Sequence, residues 1–572
     1  MPKLPIETIK ITADVVVIGG GGAASRAALS ARQAGANVRL VTKVGLKKGG
    51  STVHGASEIM SMGAAGFGDP ADSSEIHYQD TMRAGRGFID PALVRVLADD
   101  APHRIRDLIT LGVPLDREAA DRYKLIKSDF GSYARALGVG GKTGKAFVDA
   151  LTDEIERLGV GIDAHVSLVD LIRDKDGSIA GALCFDAQRK ILINYEAPCV
   201  VLGTGGIHGA FEQQVSTAEM TGDGQAVCFR HGAELVNLEF HQVGPALVHP
   251  YVQLFSGSCF KLHPKLLNGN GEEFLHRYLP PEINLDQVYD EKVFPFTTNN
   301  VSRYIEIAIS REIREGRGSP RGGVYISFAG IPYEKVEAVM PNTAKWMRES
   351  GVDLERDKLE MGIAFQCMNG GVRMTGPDAQ STIPGLFVIG ELAGGIRGPD
   401  RPGGNSLAEG QVFGHRSGTA AAQYAANRKA AGPAATLDAT LDFLGACLSR
   451  AAPDWRVQDA AAEVRRTMQR DCLVEKDAAS MTAALERITA IEQRCERELA
   501  LTPDTLVEGL GLRNMATVSA LVLRACLNRE ETRSSHYRVD YPQSDDSACQ
   551  HSFVIKRDGE GVAFSSLTYH EG

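Results

Sequence analysis

Gly19, Gly21 and Ala24 stand at the spacing of G-x-G-x-x-G/A, an arrangement suited to binding a pyrophosphate. The first residue makes a tight turn, the second lets backbone approach the phosphates, and the third lets a helix lie close on a strand. Gly22 and Ala23 complete the run, whose amides open a helix and hold negative charge. An NAD site carries Asp or Glu at the end of the second strand, on a ribose hydroxyl. Here that place reads Thr42-Lys43, which makes Thr42 the hydroxyl expected near a ribose and sets Lys43 against a plain nicotinamide site. A glycine-rich turn with no ligand is the alternative reading of the motif alone.

These residues need a strand, a turn and a helix to position them. Val15 to Ile18 reads as a buried parallel strand, Ala23 to Ala34 as a helix stopped by Gly35, and Val38 to Val41 as a second strand. The stretch Gly49-Gly50-Ser51-Thr52-Val53-His54-Gly55, followed by small residues to Gly66, lets backbone pass close to a flat ring system; a plain loop is the alternative. Helices are expected from Pro91 to Leu111 and Lys145 to Leu158. Alternating strands are expected around residues 161–169 and 179–185, with a turn at Asp176-Gly177. Cys199 to Leu202 is a buried strand breaking into Gly203-Thr204-Gly205-Gly206. Asp223 reads both as a helix cap and as a cofactor-site residue, and His77 as a structural helix residue. The linker Ala430 to Thr436 precedes several helical patterns between Asp438 and Leu527.

The length of 572 residues allows two or three domains. A net charge of -10 with no basic run argues against a nucleic-acid surface, so a small anionic substrate needs a local cationic pocket. The ten cysteines lie scattered with no C-x-x-C, as reduced core thiols of a cytoplasmic protein do, and no metal site is expected. Met1-Pro-Lys-Leu-Pro5 lacks a signal-peptide core, and no apolar run approaches membrane-spanning length.

The ordered series GGGGAA, GST, HYQDTMRAG and LGVPLDR resembles the flavoprotein family of succinate dehydrogenase, fumarate reductase and L-aspartate oxidase. The resemblance implies an α/β fold: a Rossmann-like FAD-binding domain with an inserted α+β capping domain and a C-terminal helical domain. It places the FAD domain at 1–245 and 358–429, the capping domain at 246–357, the helical domain at 436–542 and a tail at 543–572. Respiratory members carry FAD on the histidine of a Ser-His-Thr triplet. The matching triplet here is Gly50-Ser51-Thr52, which implies non-covalent FAD, and His54 is out of register to replace that link. Gly55, Thr204, Gly205, Gly206, Asp223 and Glu391 fall on further FAD-contacting segments.

The family's Glu-Phe-x-Gln-Phe-His-Pro-Thr is matched by Glu239-Phe-His241-Gln-Val-Gly244-Pro-Ala246, which lacks the substrate-holding histidine and threonine. His241 either faces the pocket or is a structural histidine. A second carboxylate histidine is replaced by Gln366, which hydrogen-bonds but carries no charge. Arg397-Gly-Pro-Asp-Arg401-Pro-Gly-Gly-Asn405-Ser406-Leu407 resembles His-Gly-x-Asn-Arg-Leu-Gly-Gly-Asn-Ser-Leu. By that resemblance Arg401 fixes a substrate carboxylate, a task suited to its bidentate, permanently charged fork, and Asn405-Ser406-Leu407 opens a helix beneath the flavin. Arg397 adds a second cation in place of the histidine. Ser302 aligns with the family's proton-passing arginine, with Arg303 one position, and about 100 degrees, off it. Arg303 is thus either the proton-transfer group or an exposed capping-domain arginine. The implied activity is hydride transfer between FAD and a small carboxylate other than succinate, fumarate or aspartate. The alternative is an FAD-carrying subunit docked on an iron-sulfur or other electron-acceptor protein.

Overall fold

The computed structural model describes residues 6–428, 436–451, 454–559 and 561–570, so most of the expected linker lies outside the described residues. A five-stranded, wholly parallel sheet runs Leu386–Val388, Cys199–Leu202, Val15–Ile18, Val38–Thr42, Gly161–Ala164, with Val17 opposite both Leu40 and Val201. Its two central strands are buried on both faces, which is why they read as continuous apolar runs. Helix Gly22–Gln33 covers one face and lies along Asn405–Asn427. That crossing needs glycine: a Cβ at Gly414 would lie 2.6 Å from Ala23 O, and one at Gly418 2.2 Å from Ala27 O.

A four-stranded sheet, Thr8–Thr12, Ile191–Glu196, Ile179–Asp186, Val166–Arg173, packs beside this core. The insertion is built on an antiparallel sheet in which His241–His249 pairs Lys358–Met368. The expected joins near residues 245 and 358 therefore sit on the two strands that lead into and out of it. Residues 543–572 contain more than a tail, because Ser552–Asp558 and Gly561–Leu567 form a hairpin paired to Leu235–Val236.

Helix Leu506–Asn528 meets the length and hydropathy of a membrane span, contrary to the expectation that no apolar run approaches it, but 83% of its apolar window is buried inside the protein. It packs on Ala478–Glu498, Val457–Asp471 and Asp223–Arg230. Just beyond it, buried Arg529 donates to Glu239 Oε1 at 2.7 Å and to the carbonyls of Cys549 and His551, and pairs with Glu531. These contacts lock the helical domain to the FAD domain. All ten cysteines are buried and unpaired.

Candidate active site

A cavity of about 730 Å³ opens at the carboxyl ends of the parallel strands, the position where open α/β sheets bind ligands. Gly19 to Ala23, Thr42, Lys43, Gly50 to Thr52, Gly55, Thr204, Gly205, Glu391, Ser406 and Leu407 line it. Gly19 has φ +136, and a Cβ there would lie 2.2 Å from Gly203 O, so the turns after two neighbouring strands are pressed together. Ala24 is fully buried behind them, packing helix on strand. Gly21 and Gly404 have no side chain with which to cap the helices Gly22–Gln33 and Asn405–Asn427; the Gly22 amide donates to Thr52 Oγ1 at 3.2 Å, and both helices start at the cavity.

Lys43 Nζ donates to Asp223 Oδ2 at 2.8 Å, to Thr221 Oγ1 and to Glu219 O. Burial alone would raise the Asp223 carboxyl, but Lys43, with Asn514 and Thr221, holds it below the usual carboxylate range. That carboxylate is spent on its ion pair and does not cap helix Asp223–Arg230, whose cap is Gly222. Thr42 Oγ1 donates to Val44 O, and Ser51 Oγ to Glu391 Oε2. His54 is exposed and bonds Lys48 O, away from the cavity. Gly206 is pressed against Glu391, behind the wall. Asn405 is also off the cavity: its amide exchanges hydrogen bonds with His77 Nε2 and Thr81 Oγ1, tying its helix to Ser74–Gly85. His77 is thereby structural, as expected.

Arg401 lines the cavity with Nε and Nη2 donating to Gln242 Oε1 at 3.2 and 2.7 Å; among the described residues it has no carboxylate partner. Gln366 Oε1 is buried with no partner in the same wall. Three expectations are corrected. Arg397 reaches the cavity, but its fork is spent on Glu409 at 3.0 Å and on the carbonyls of Met368, Gly390 and Ala393, so it reads no substrate anion. His241 faces the helical domain, bonding Leu473 O; burial, with Lys476 nearby, pushes it down to about 3, so it stays neutral. Arg303 lies off the cavity, donating to Thr298 O and stacked on Tyr304.

Sequence reasoning missed Gln242, Phe294 and Lys292. Gln242 follows His241 on a strand, so alternation sends it to the opposite face, and the Glu-Phe-x-Gln motif already carried that signal. Phe294 lines the cavity and fills the space above Gly244, where a Cβ would lie 2.2 Å from its ring. No motif marks Lys292, which also lines the cavity and whose Nζ lies 2.5 Å from Glu306 Oε1.

A family model described as an FAD binding domain matches residues 14–407, and one described as the fumarate reductase flavoprotein C-terminal region matches 461–570. A fumarate reductase (CoM/CoB) subunit of Methanothermobacter marburgensis is 32% identical over 544 residues, covering 93% of this chain and 95% of that protein. The chain belongs to the fumarate reductase and succinate dehydrogenase flavoprotein family. Within the family, L-aspartate oxidase of Caulobacter vibrioides is 30% identical over 93% of this chain and 94% of its own. Mycobacterium smegmatis Sdh1, solved in complex with UQ1, is 29% identical and superposes with a TM-score of 0.83, covering 98% of this chain and 95% of that one.

Like its family, this chain is an FAD-dependent oxidoreductase. Its residues fit the dinucleotide: the glycine turns admit backbone approach, the buried Thr204 Oγ1 on the wall lacks a protein partner, and two helices that begin at glycines start at the cavity. Ser51, not a histidine, lines the cavity at the place where the resemblance puts the covalent link, which is consistent with non-covalent FAD.

Proposed function

We propose that this oxidoreductase moves a hydride between FAD and a substrate bearing one carboxylate and a partly apolar body, and that succinate, fumarate and aspartate are not its substrates. The observation that carries the reading is Arg401, a buried cation on the cavity wall with no carboxylate partner among the described residues. Its neutral acceptors, Gln242 Oε1 and Pro402 O, leave the charge itself uncompensated, and a bound anion would offset that cost. Gln242 orients the guanidinium, and Gln366 offers the same carboxylate a neutral partner. A second carboxylate would meet Phe294 over Gly244 and, beyond it, the apolar cluster of Val215, Ala246, Leu254 and Ala364. When bound, FAD supplies the hydride acceptor or donor. The chain's own part is to hold the acid, exclude water and manage the proton. The buried thiols and the absence of a metal-ligand cluster among the described residues support placing any iron-sulfur relay on a partner. The methanogen relative, itself named as one subunit of its enzyme, favours that arrangement as a second reading, and the cytoplasm is the location we assign.

The test uses FAD-loaded protein and the flavin absorbance. Saturated acids (succinate, butyrate, 3-phenylpropionate) are titrated for binding, and their unsaturated counterparts (fumarate, crotonate, cinnamate) for reoxidation of dithionite-reduced flavin. Monocarboxylates bind more tightly than succinate, and Arg401→Gln weakens them by about thirtyfold or more while FAD is retained. Tighter binding of succinate, or unchanged affinity in Arg401→Gln, overturns the reading.

A further inference from the structure

The cavity wall contributed by the insertion carries a buried ion pair that the functional reading has not used. Lys292 is 3% exposed and Glu306 fully buried; Nζ and Oε1 are 2.5 Å apart. Glu306 Oε2 is buried without a partner. The ammonium has three N–H groups, and among the described residues only one finds an acceptor, on Glu306. A buried ion pair is a poor device for stability, since its desolvation offsets most of its attraction. At a cavity wall such a pair is a candidate functional group. Asp129, whose Oδ2 accepts from Phe294 N at 3.0 Å, and Lys261 line the same cavity.

Arg401 and Lys292 therefore differ in electrostatic character. The first is an uncompensated cation and suits an anion. The second is neutralised by Glu306, attracts an anion weakly and holds an exchangeable proton. Arg303, the proton-transfer candidate in the sequence, is off the wall.

Building on the functional reading above, we infer that Lys292 is the catalytic acid and base of the substrate site, exchanging a proton with the carbon next to the one that exchanges hydride, while Glu306 holds the ammonium in place. In the reducing direction one N–H bond of Lys292 breaks, the substrate π bond opens, and two C–H bonds form. The hydride, drawn from reduced FAD, carries both electrons; the amine is left neutral and recovers its proton from cavity water. In the oxidising direction the neutral amine takes the proton as the hydride leaves.

Lys292→Met strands the buried Glu306 carboxylate, so the decisive protein is Lys292→Met/Glu306→Leu, whose apolar pair replaces the ion pair. In FAD-loaded form, 3-phenylpropionate affinity is read from the flavin spectrum, and the reduced flavin is mixed with fumarate, crotonate and cinnamate. The expected result is affinity within about threefold of the parent and reoxidation slowed about 10²- to 10⁴-fold by the acid that is fastest in the parent. Parental reoxidation rates overturn the inference, as does a loss of affinity with an unchanged rate, which would make Lys292 an anchor. Unchanged affinity in Arg401→Gln with slowed reoxidation in the double variant sinks the functional reading alone. If none of the acids reoxidises the parent, that reading fails and the inference falls with it.

Discussion

Gly244→Ala tests the packing that shapes the substrate end of the cavity. The added Cβ would sit 2.2 Å from Phe294 Cε2, 2.8 Å from Cζ and 3.1 Å from Cδ2. Apolar carbons settle near 3.5 Å or beyond, so the ring must retreat by more than about 1 Å. Overpacking of that kind costs about 1–3 kcal/mol. Phe294→Ala removes the half-buried ring, at a cost of about 2 kcal/mol. In that background the methyl of Gly244→Ala has room, and its cost falls below about 0.5 kcal/mol. The four proteins of the cycle, FAD-loaded and unfolded in urea, should thus show a coupling of at least about 0.5 kcal/mol and up to about 3 kcal/mol. The same retreat pushes the ring into the cavity, so Gly244→Ala also weakens 3-phenylpropionate. Additive costs, or a Gly244→Ala protein as stable as the parent, would refute the claim that the ring occupies the space above this glycine.

Arg303→Ala should leave turnover and acid affinity within about threefold of the parent, because that guanidinium binds Thr298 O and Tyr304 away from the cavity; a loss above tenfold would return it to the site. Asp400 carries a pH prediction. Burial raises its carboxyl from 3.8 to about 6, against the opposing Ser534, Arg86, Thr297 and Asn299. The folded value lies above the unfolded one, so the protonated form favours folding. That advantage is full below pH 3.8 and is lost as pH rises through 6. Asp400→Asn should then gain up to roughly 3 kcal/mol over the parent at pH 8 and about half of that at pH 5; equal urea midpoints at both pH values would contradict the assignment.

The glycine turns were legible because positive φ and close backbone approach leave few residue types to choose from, as at Gly19. The FAD-domain strands were legible because burial on both faces leaves no polar position. Side-chain assignments within the site were harder. For the adjacent polar residues His241 and Gln242, strand alternation says that they face opposite ways and only the family motif points to Gln242; their pairing with Met368 and Cys367 sets which one meets Arg401. Arg397 and Lys43 were readable as cations, but their partners, Glu409 on a following helix and Asp223 180 residues away, are products of the fold. Lys292 sits in an irregular segment, where no period exists to place it.

The Arg529–Glu239 pair has a consequence for how the enzyme comes into being. Glu239 stands three residues before Gln242 on the chain, and until Arg529 arrives it is a carboxylate with no cation to meet it. During synthesis the glycine turns are complete long before the stretch from Arg529 to His551 exists. A nascent chain can therefore offer FAD its cradle early, while the acid-gripping wall matures only once that late stretch has been made.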